Sequence, residues 1–345
     1  MSLVKQAAFV ADLVRAELTG AVRPLSAIVN LTDRCNLSCA YCYAAYHHRG
    51  KPELTTGQML QVLTLLRDGG CRRVSLAGGE PLMREDLSEI LAHARALGLM
   101  ATVNSNGVLV PRKLKELAGV DTLCISLDGG EKAHDVYRGA GSHRAAMLGI
   151  SAAREAGIPL MSNTVLTKRN LDQVDEVLET ARAYGFQALF NVSIGLLSGK
   201  GDSFKAGDAE VRAVLARLIE LKRAGAPVLT SEQALRHCLD WPDYSQEFIV
   251  GREPEFPYIP CLAGRRFVTV DTDGGVYPCG HLMTGAYQAR NILEHGLEAA
   301  MRHCAGHDCR ACYHVSHNEF NLLFAARPAV LANMAAASAR RLFSK

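Results

Sequence analysis

The sequence predicts an α/β chain: a partial (β/α)6 barrel of the TIM type, followed by a small C-terminal domain with a β-hairpin and helices. Three observations carry this. A short apolar run, a loop and a helix-period segment recur six times beyond Pro24, the pattern of βαβ units on a parallel sheet. Right-handed crossovers curl such a run into a barrel, and six units rather than eight leave it incomplete. Near Ser231 the texture changes, as prolines, aromatics and acids replace the regular alternation. The expected organisation is an N-terminal helix in residues 1–24, the barrel in 25–230 and the second domain in 231–345.

The elements follow in order. An amphipathic stretch over residues 2–19 stops at Gly20. Strands are expected at 27–31, 73–77, 99–103, 123–127, 160–165 and 188–194, each a short apolar run. Helices are expected at 55–67, 84–97, 112–118, 144–156, 171–184 and 208–222. Residues 241–260, rich in Pro and aromatics, read as an ordered loop. Two β-like runs, 267–270 and 276–278, then flank the turn signal Asp271-Thr-Asp-Gly-Gly, which makes a hairpin.

Composition excludes several classes. The 345 residues are 48% hydrophobic and 21% charged, enough apolar material for a core and too much for global disorder. A net charge of +3 from 38 basic and 35 acidic residues gives no broad nucleic-acid-binding face. The longest uncharged run, residues 183–199, contains Gln187, Asn191, Ser193, Ser198 and three glycines, so no membrane span is expected. Asp12 follows the first apolar stretch closely, a poor secretory signal. A soluble, cytoplasmic protein is the expectation. Eleven cysteines in such a chain are then poor disulfide candidates, and their clustering favours metal binding.

Reactive groups in parallel α/β folds gather at the carboxyl ends of the strands. Four unusual segments fall there: Cys35-Asn-Leu-Ser-Cys39-Ala-Tyr41-Cys42, Gly78-Gly79-Glu80-Pro81, Asn104-Ser-Asn106-Gly107 and Ser126-Leu-Asp128-Gly129. Three thiolates spaced C-x3-C-x2-C can hold three irons of a [4Fe–4S] cluster, and with no fourth cysteine nearby one iron stays open. The competing reading is a zinc knuckle completed by His47 and His48. Taken alone, the glycine pair also fits a tight strand exit, Asn106-Gly107 and Asp128-Gly129 fit ordinary turns, and Arg138 fits a surface ion pair.

Over residues 27 to about 180, these motifs resemble the radical S-adenosylmethionine enzymes. The resemblance implies that Cys35, Cys39 and Cys42 ligate the cluster, and that its open iron binds the amino and carboxylate groups of S-adenosylmethionine. It implies reductive cleavage of that cofactor to a 5′-deoxyadenosyl radical, which abstracts a hydrogen atom from substrate. Carried over by position, Tyr41 belongs to the cofactor motif, and Gly78, Gly79 and Glu80 face the methionine amino group. Asn106, Ser126 and Asp128 fall where ribose or carboxylate contacts are made, Arg138 is a carboxylate candidate, and Asn163 is a further polar contact.

The late cysteines form a second constellation. Cys261 and Cys279 bracket the hairpin, and Cys309-Arg-Ala-Cys312 adds two thiols. This resembles the SPASM and shorter Twitch extensions of radical enzymes, which house auxiliary [4Fe–4S] clusters. Five late cysteines fit one cluster, with Cys304 left over or replacing one of Cys261, Cys279, Cys309 and Cys312. A zinc site built from Cys304, His307, Cys309, Cys312 and His314 is the rival. Cys71 and Cys124 read as small core residues, whereas an exposed Cys238 near the barrel mouth would serve as a hydrogen donor to a substrate radical.

The resemblance favours tailoring of a small-molecule biosynthetic intermediate, the auxiliary cluster accepting the electron left after hydrogen abstraction. Room for only one helix before the barrel argues against a built-in peptide binder. The alternatives are maturation of a ribosomally made peptide, a redox-neutral epimerisation, decarboxylation or adenosylation, or a non-enzymatic zinc scaffold or assembly factor. A reductase, flavodoxin or ferredoxin would supply electrons. The pocket is expected between the barrel rim, residues 195–207 and residues 241–260, where Trp241, Tyr244 and Phe256 either line it or pack in the core.

Overall fold

In the computed structural model, which describes residues 3–42, 44, 49–195, 204–283 and 286–326, helix α1 (Leu3–Thr19) precedes six strands laid side by side in chain order. They are β1 (Ser26–Asn30), β2 (Arg73–Ala77), β3 (Met100–Ser105), β4 (Thr122–Ser126), β5 (Leu160–Leu166) and β6 (Gln187–Val192). Each neighbouring pair is parallel. Helices α2 (Thr56–Asp68), α3 (Leu87–Ala96), α4 (Glu131–Arg138), α5 (Ser142–Glu155), α6 (Val174–Tyr184) and α7 (Asp208–Arg223) make the connections. The fold is the expected α/β class, an incomplete parallel barrel.

Helix α2 shows why these segments form. Thr55 and Gln58 close a capping box at its start, satisfying amide groups that would otherwise lack partners. Met59, Val62, Leu63 and Leu66 then recur at helical spacing on one buried face, in the same core as Val29 and Leu76.

Two expectations need correction. No helix forms over 112–118: a 3-10 turn at Val110–Arg112 passes into turns, with Pro111 at its start. A helix not expected, α4, follows Gly129-Gly130 instead; its buried residues are His134, Tyr137 and Arg138, so it shows no hydrophobic stripe to read.

Beyond residue 231 come α8 (Glu232–Leu239), β7 (Phe248–Val250), β8 (Phe267–Val270), β9 (Gly275–Tyr277), β10 (Arg290–Asn291), α9 (Ile292–His295), α10 (Leu297–Ala305), β11 (Cys309–Cys312) and α11 (Val315–Phe324). The β8–β9 hairpin is present and antiparallel. Strand β8 also pairs in parallel with the free side of β1, so one sheet runs β10-β9-β8-β1-β2-β3-β4-β5-β6. Main-chain pairing thereby joins the later segment to the barrel. The 241–260 stretch contains a strand, β7, which pairs antiparallel with β11 and its two cysteines.

Asp271, fully buried at the end of β8, accepts hydrogen bonds from Arg49 (2.8 Å), Lys51 (2.8 Å) and Asn30 (3.1 Å). The hairpin thus grips the chain just after the first cysteine loop. At the other end, Phe9 of α1 meets Phe324 of α11 edge to face at 6.2 Å. Among the described residues no helix is long and apolar enough to cross a membrane.

Candidate active site

The loop leaving β1 lies directly across the end of β2. Gly79 N donates to Thr32 O (2.7 Å) and Glu80 N to Arg34 O (2.9 Å). A Cβ on Gly78 would sit 2.5 Å from Thr32 O, and one on Gly79 2.2 Å from Arg34 O. Gly78 also has φ +119, a region closed to most L residues. Both glycines are therefore required by the approach of the cysteine loop's own backbone.

Glu80 is fully buried and acts as a hub. One carboxylate oxygen accepts from Ser105 Oγ (2.9 Å) and Leu82 N (3.1 Å), the other from Asn106 N (2.8 Å). Asn106 in turn donates to Asn36 Oδ1 in the cysteine loop (2.8 Å). Burial raises the Glu80 pKa to about 7 against the lowering effect of those donors. A carboxyl whose folded pKa lies above its unfolded value stabilises the fold at acid pH and loses that contribution as pH rises through the folded value. Apparent unfolding temperature, measured anaerobically from pH 5 to 8, is expected to carry a component that falls from about pH 5 to about 7 and levels off above that. Glu80→Gln should lose that component; an unchanged profile would contradict the assignment.

Cys35, Cys39 and Cys42 are half-buried free thiols. Burial pushes Cys39 up to about 11, while the nearby Arg138 guanidinium pulls the other way and the other two thiols add to the rise. Three close thiols beside one buried cation suit a metal centre, whose binding displaces thiol protons. Arg138 donates from Nε to Asp128 Oδ2 (2.6 Å), and its guanidinium lies 5.3 Å from the Tyr41 ring centroid. Asp128 also accepts from the Tyr41 hydroxyl and, at 3.0 Å, from Val165 N. Its burial raises the carboxyl pKa, yet Arg138 outweighs this and leaves it lowered. Ala40 N donates to Tyr137 O (2.8 Å), so α4 holds the loop by main chain as well as through Tyr41. Ser126 and Asn163 are half-buried register partners on β4 and β5. Asn191 Nδ2 donates to Asn163 Oδ1 (2.8 Å), and Ser316 N to Asn191 Oδ1 (2.9 Å).

The second constellation gathers from three separated segments. The Cys261 and Cys309 thiols hydrogen-bond each other, which raises Cys309 and lowers Cys261. Burial drives Cys279 up to about 12 and Cys312 well above its usual value, and both respond to the charge on Cys261. Pairing of β7 with β11 positions Cys309 and Cys312, and Cys261 N donates to Arg310 O (2.9 Å). Four close sulfurs in a mostly buried setting match the donor set of a closed [4Fe–4S] cluster.

Cys304 is fully buried, with its thiol 3.5 Å from Val276 O and beside Tyr287, and its charge adds to the rise at Cys279. The finger-like zinc set does not assemble. The ring nitrogens of His307 are occupied by Ala263 O (2.8 Å) and Cys309 N (3.0 Å). His47 and His48, and residues 196–203 of the expected pocket loop, lie outside the described residues.

The expected exposed thiol at Cys238 is also corrected. Cys238 is fully buried, donates to Tyr313 O (3.1 Å), and burial raises it beyond the ordinary thiol range. Trp241 is core. Tyr244, though also buried, borders a cleft with Ser193, Lys205, Asp208 and Tyr313. Asn36, Ser105, Asn191, His281 and His317 were not anticipated from the sequence, and His314 was expected only as a member of that zinc set. The repeated Cys-x-His at 279–281 and 312–314 was the available signal for two of them.

Comparisons with known proteins agree with this geometry. The Radical SAM superfamily pattern matches residues 29–181. The AdoMet-dependent heme synthase of Methanosarcina barkeri is 30% identical over 270 residues, covering 73% of this chain and 75% of that protein. The PqqA peptide cyclase of Xanthomonas campestris pv. campestris is 29% identical over 291 residues, covering 81% and 74%. The crystal structure of Streptococcus suis SuiB bound to its precursor peptide SuiA shares the fold, with a TM-score of 0.67 at 17% identity, over 85% of this chain and 69% of that one. With three thiols in one loop, a parallel incomplete barrel behind them and a relative at 30% identity over most of its length, the chain belongs to the radical SAM superfamily, whose members work with a [4Fe–4S] cluster and S-adenosylmethionine.

Proposed function

We propose that this enzyme oxidises a small-molecule biosynthetic intermediate by hydrogen-atom abstraction, with an auxiliary [4Fe–4S] cluster on Cys261, Cys279, Cys309 and Cys312 accepting the electron left behind. The observation that carries the reading is the convergence of those four thiols from three segments into one buried group. When bound, the first cluster and S-adenosylmethionine supply a 5′-deoxyadenosyl radical.

The chain's own residues do the rest. Cys35, Cys39 and Cys42 would hold three irons. Arg138 places a buried positive charge beside Cys39, which offsets the negative charge of thiolate ligands. Asp128 and Tyr41 fix that guanidinium and the loop, and act here as positioning residues. Gly78, Gly79, Glu80 and Asn106 lock the loop onto the ends of β2 and β3. Ser126 and Asn163, half-buried side by side on β4 and β5, are the proposed polar contacts to the nucleotide.

The heme synthase relative supports a small-molecule substrate, and the peptide cyclase relative supports peptide modification as the second reading. Anaerobic reconstitution should give about eight irons per chain, two four-iron clusters; about four would remove the auxiliary cluster. Dithionite or a reduced flavodoxin should then drive 5′-deoxyadenosine formation. Deuterium should pass into that product from a deuterated low-molecular-mass extract. Transfer from the peptide fraction alone would overturn the small-molecule reading in favour of the second.

A further inference from the structure

Three histidines meet where the hairpin, β11 and α11 converge. His281 sits in the 3-10 turn Gly280–Leu282, two residues after Cys279; His314 caps α11, and His317 lies in its first turn. Their ring centroids are 4.5, 4.8 and 4.3 Å apart in the three pairings. One ligand atom from each lies within 4.8 Å of the others. His281 and His317 are buried and His314 is half-buried.

We propose that His281, His314 and His317 bind one divalent transition-metal ion, zinc or ferrous iron, at a site separate from both iron–sulfur positions. Imidazole is a good donor to these ions, and three histidines form a known zinc donor set that leaves a fourth position open. The backbone fixes the trio: two rings share one helix end, and the third is held by the turn after β9. The four neighbouring cysteines supply a cluster donor set without any of the three rings.

The surroundings also suit an ion. His314 Nδ1 lies 3.2 Å from Ser316 Oγ and 3.4 Å from His317 N. As the cap stands, Nδ1 accepts from His317 N; binding an ion through Nε2 exchanges that long contact for the other tautomer, with Nδ1–H donating to the serine hydroxyl, the outer-contact arrangement usual for ligating histidines. Phe248 lies 5.9 Å from the His281 ring and Phe267 5.7 Å from that of His317, giving the site apolar walls. On the barrel side, Ser316 links through Asn191 to Asn163. The trio therefore borders the rim where substrate is proposed to bind, and its open position would take water or a substrate oxygen.

The test uses the reconstituted holoenzyme, stripped of loose metal on a chelating resin and equilibrated with zinc. Elemental analysis should find about one zinc per chain with iron and sulfide unchanged. The His281→Ala/His317→Ala double variant should lose that zinc, and His307→Ala should keep it. Zinc-edge X-ray absorption of the unsubstituted enzyme provides a readout that survives misfolding of the variants: imidazole nitrogens at about 2.0 Å and no sulfur. Failure to bind zinc and failure to bind ferrous iron beyond the clusters, taken together, would overturn the proposal. Sulfur among the neighbours of bound zinc, or equal zinc in the double variant and the parent, would do so as well.

Discussion

Cys39→Ala is expected to abolish detectable 5′-deoxyadenosine formation and to remove about four of the eight irons, leaving the second cluster in place. Three thiolates from one loop are the whole protein donor set of the first cluster. Two cannot keep a four-iron core anchored while its remaining corner is given to a cofactor. Cys304→Ser serves as the internal control. Its thiol is fully buried against Val276 and Tyr287, so the iron count should stay at about eight, whereas Cys309→Ala should lower it by about four. Iron, sulfide and nucleoside product measured on the same preparations decide the matter. A Cys39→Ala enzyme retaining all its iron and its activity would sink the site assignment.

Arg138→Met is expected to cost about 3–5 kcal/mol, the usual consequence of leaving one charge of a buried pair without its partner. Asp128 is fully buried and Arg138 nearly so, and the guanidinium, with smaller help from His134 and the Tyr41 hydroxyl, holds the carboxyl below its ordinary range. The sign with pH follows. In the parent, the lowered carboxyl contributes stability above its unfolded pKa and loses it as pH falls through the folded value. In the variant, burial is no longer offset, so the carboxyl pKa rises and the penalty grows toward neutral pH. The deficit should therefore be smaller at pH 5 than at pH 8. Adding Asp128→Asn should recover part of it, because a neutral amide costs less to bury. Unfolding temperatures of the two single variants and the double variant, at both pH values, form the required cycle; strict additivity would exclude the pair as a unit.

How much of this was legible depends on where the information lies. The six barrel strands were readable because each is a short apolar run leading into glycine or polar residues, and α2 because its cap and its stripe are both local. Helix α4 was hidden by its buried face of His134, Tyr137 and Arg138, which carries no apolar period. Residues 112–118 misled in the opposite way, since Leu114 and Leu117 sit at helical spacing in a segment that only turns. Strands β7 and β11 exist through each other: Cys-Arg-Ala-Cys has no strand signature until Phe248–Val250 lies beside it.

The sites divide along the same line. Spacing within one loop exposes the first triplet, and Gly78-Gly79 announces a close approach. What approaches was invisible, because Thr32 and Arg34 lie more than forty residues earlier in the chain. The hydrogen-bond partners of Glu80, Ser105 and Asn106, lie 25 and 26 residues away and could not be read from its own segment. The Asp128–Arg138–Tyr41 unit and the histidine trio likewise depend on contacts that only the folded chain makes.

The parallel pairing of β8 with β1 has a consequence for how the chain is made. Asn30, at the end of β1, and its partner Asp271 are 241 residues apart. At a synthesis rate of about 5–20 residues per second, one flank of β1 waits roughly 12–50 s for its neighbour to leave the ribosome. During that interval an apolar strand with unsatisfied main-chain groups is open to other chains. Polypeptides released before about residue 270 keep that flank permanently, so nonsense fragments should be insoluble even though all six consecutive barrel strands are complete.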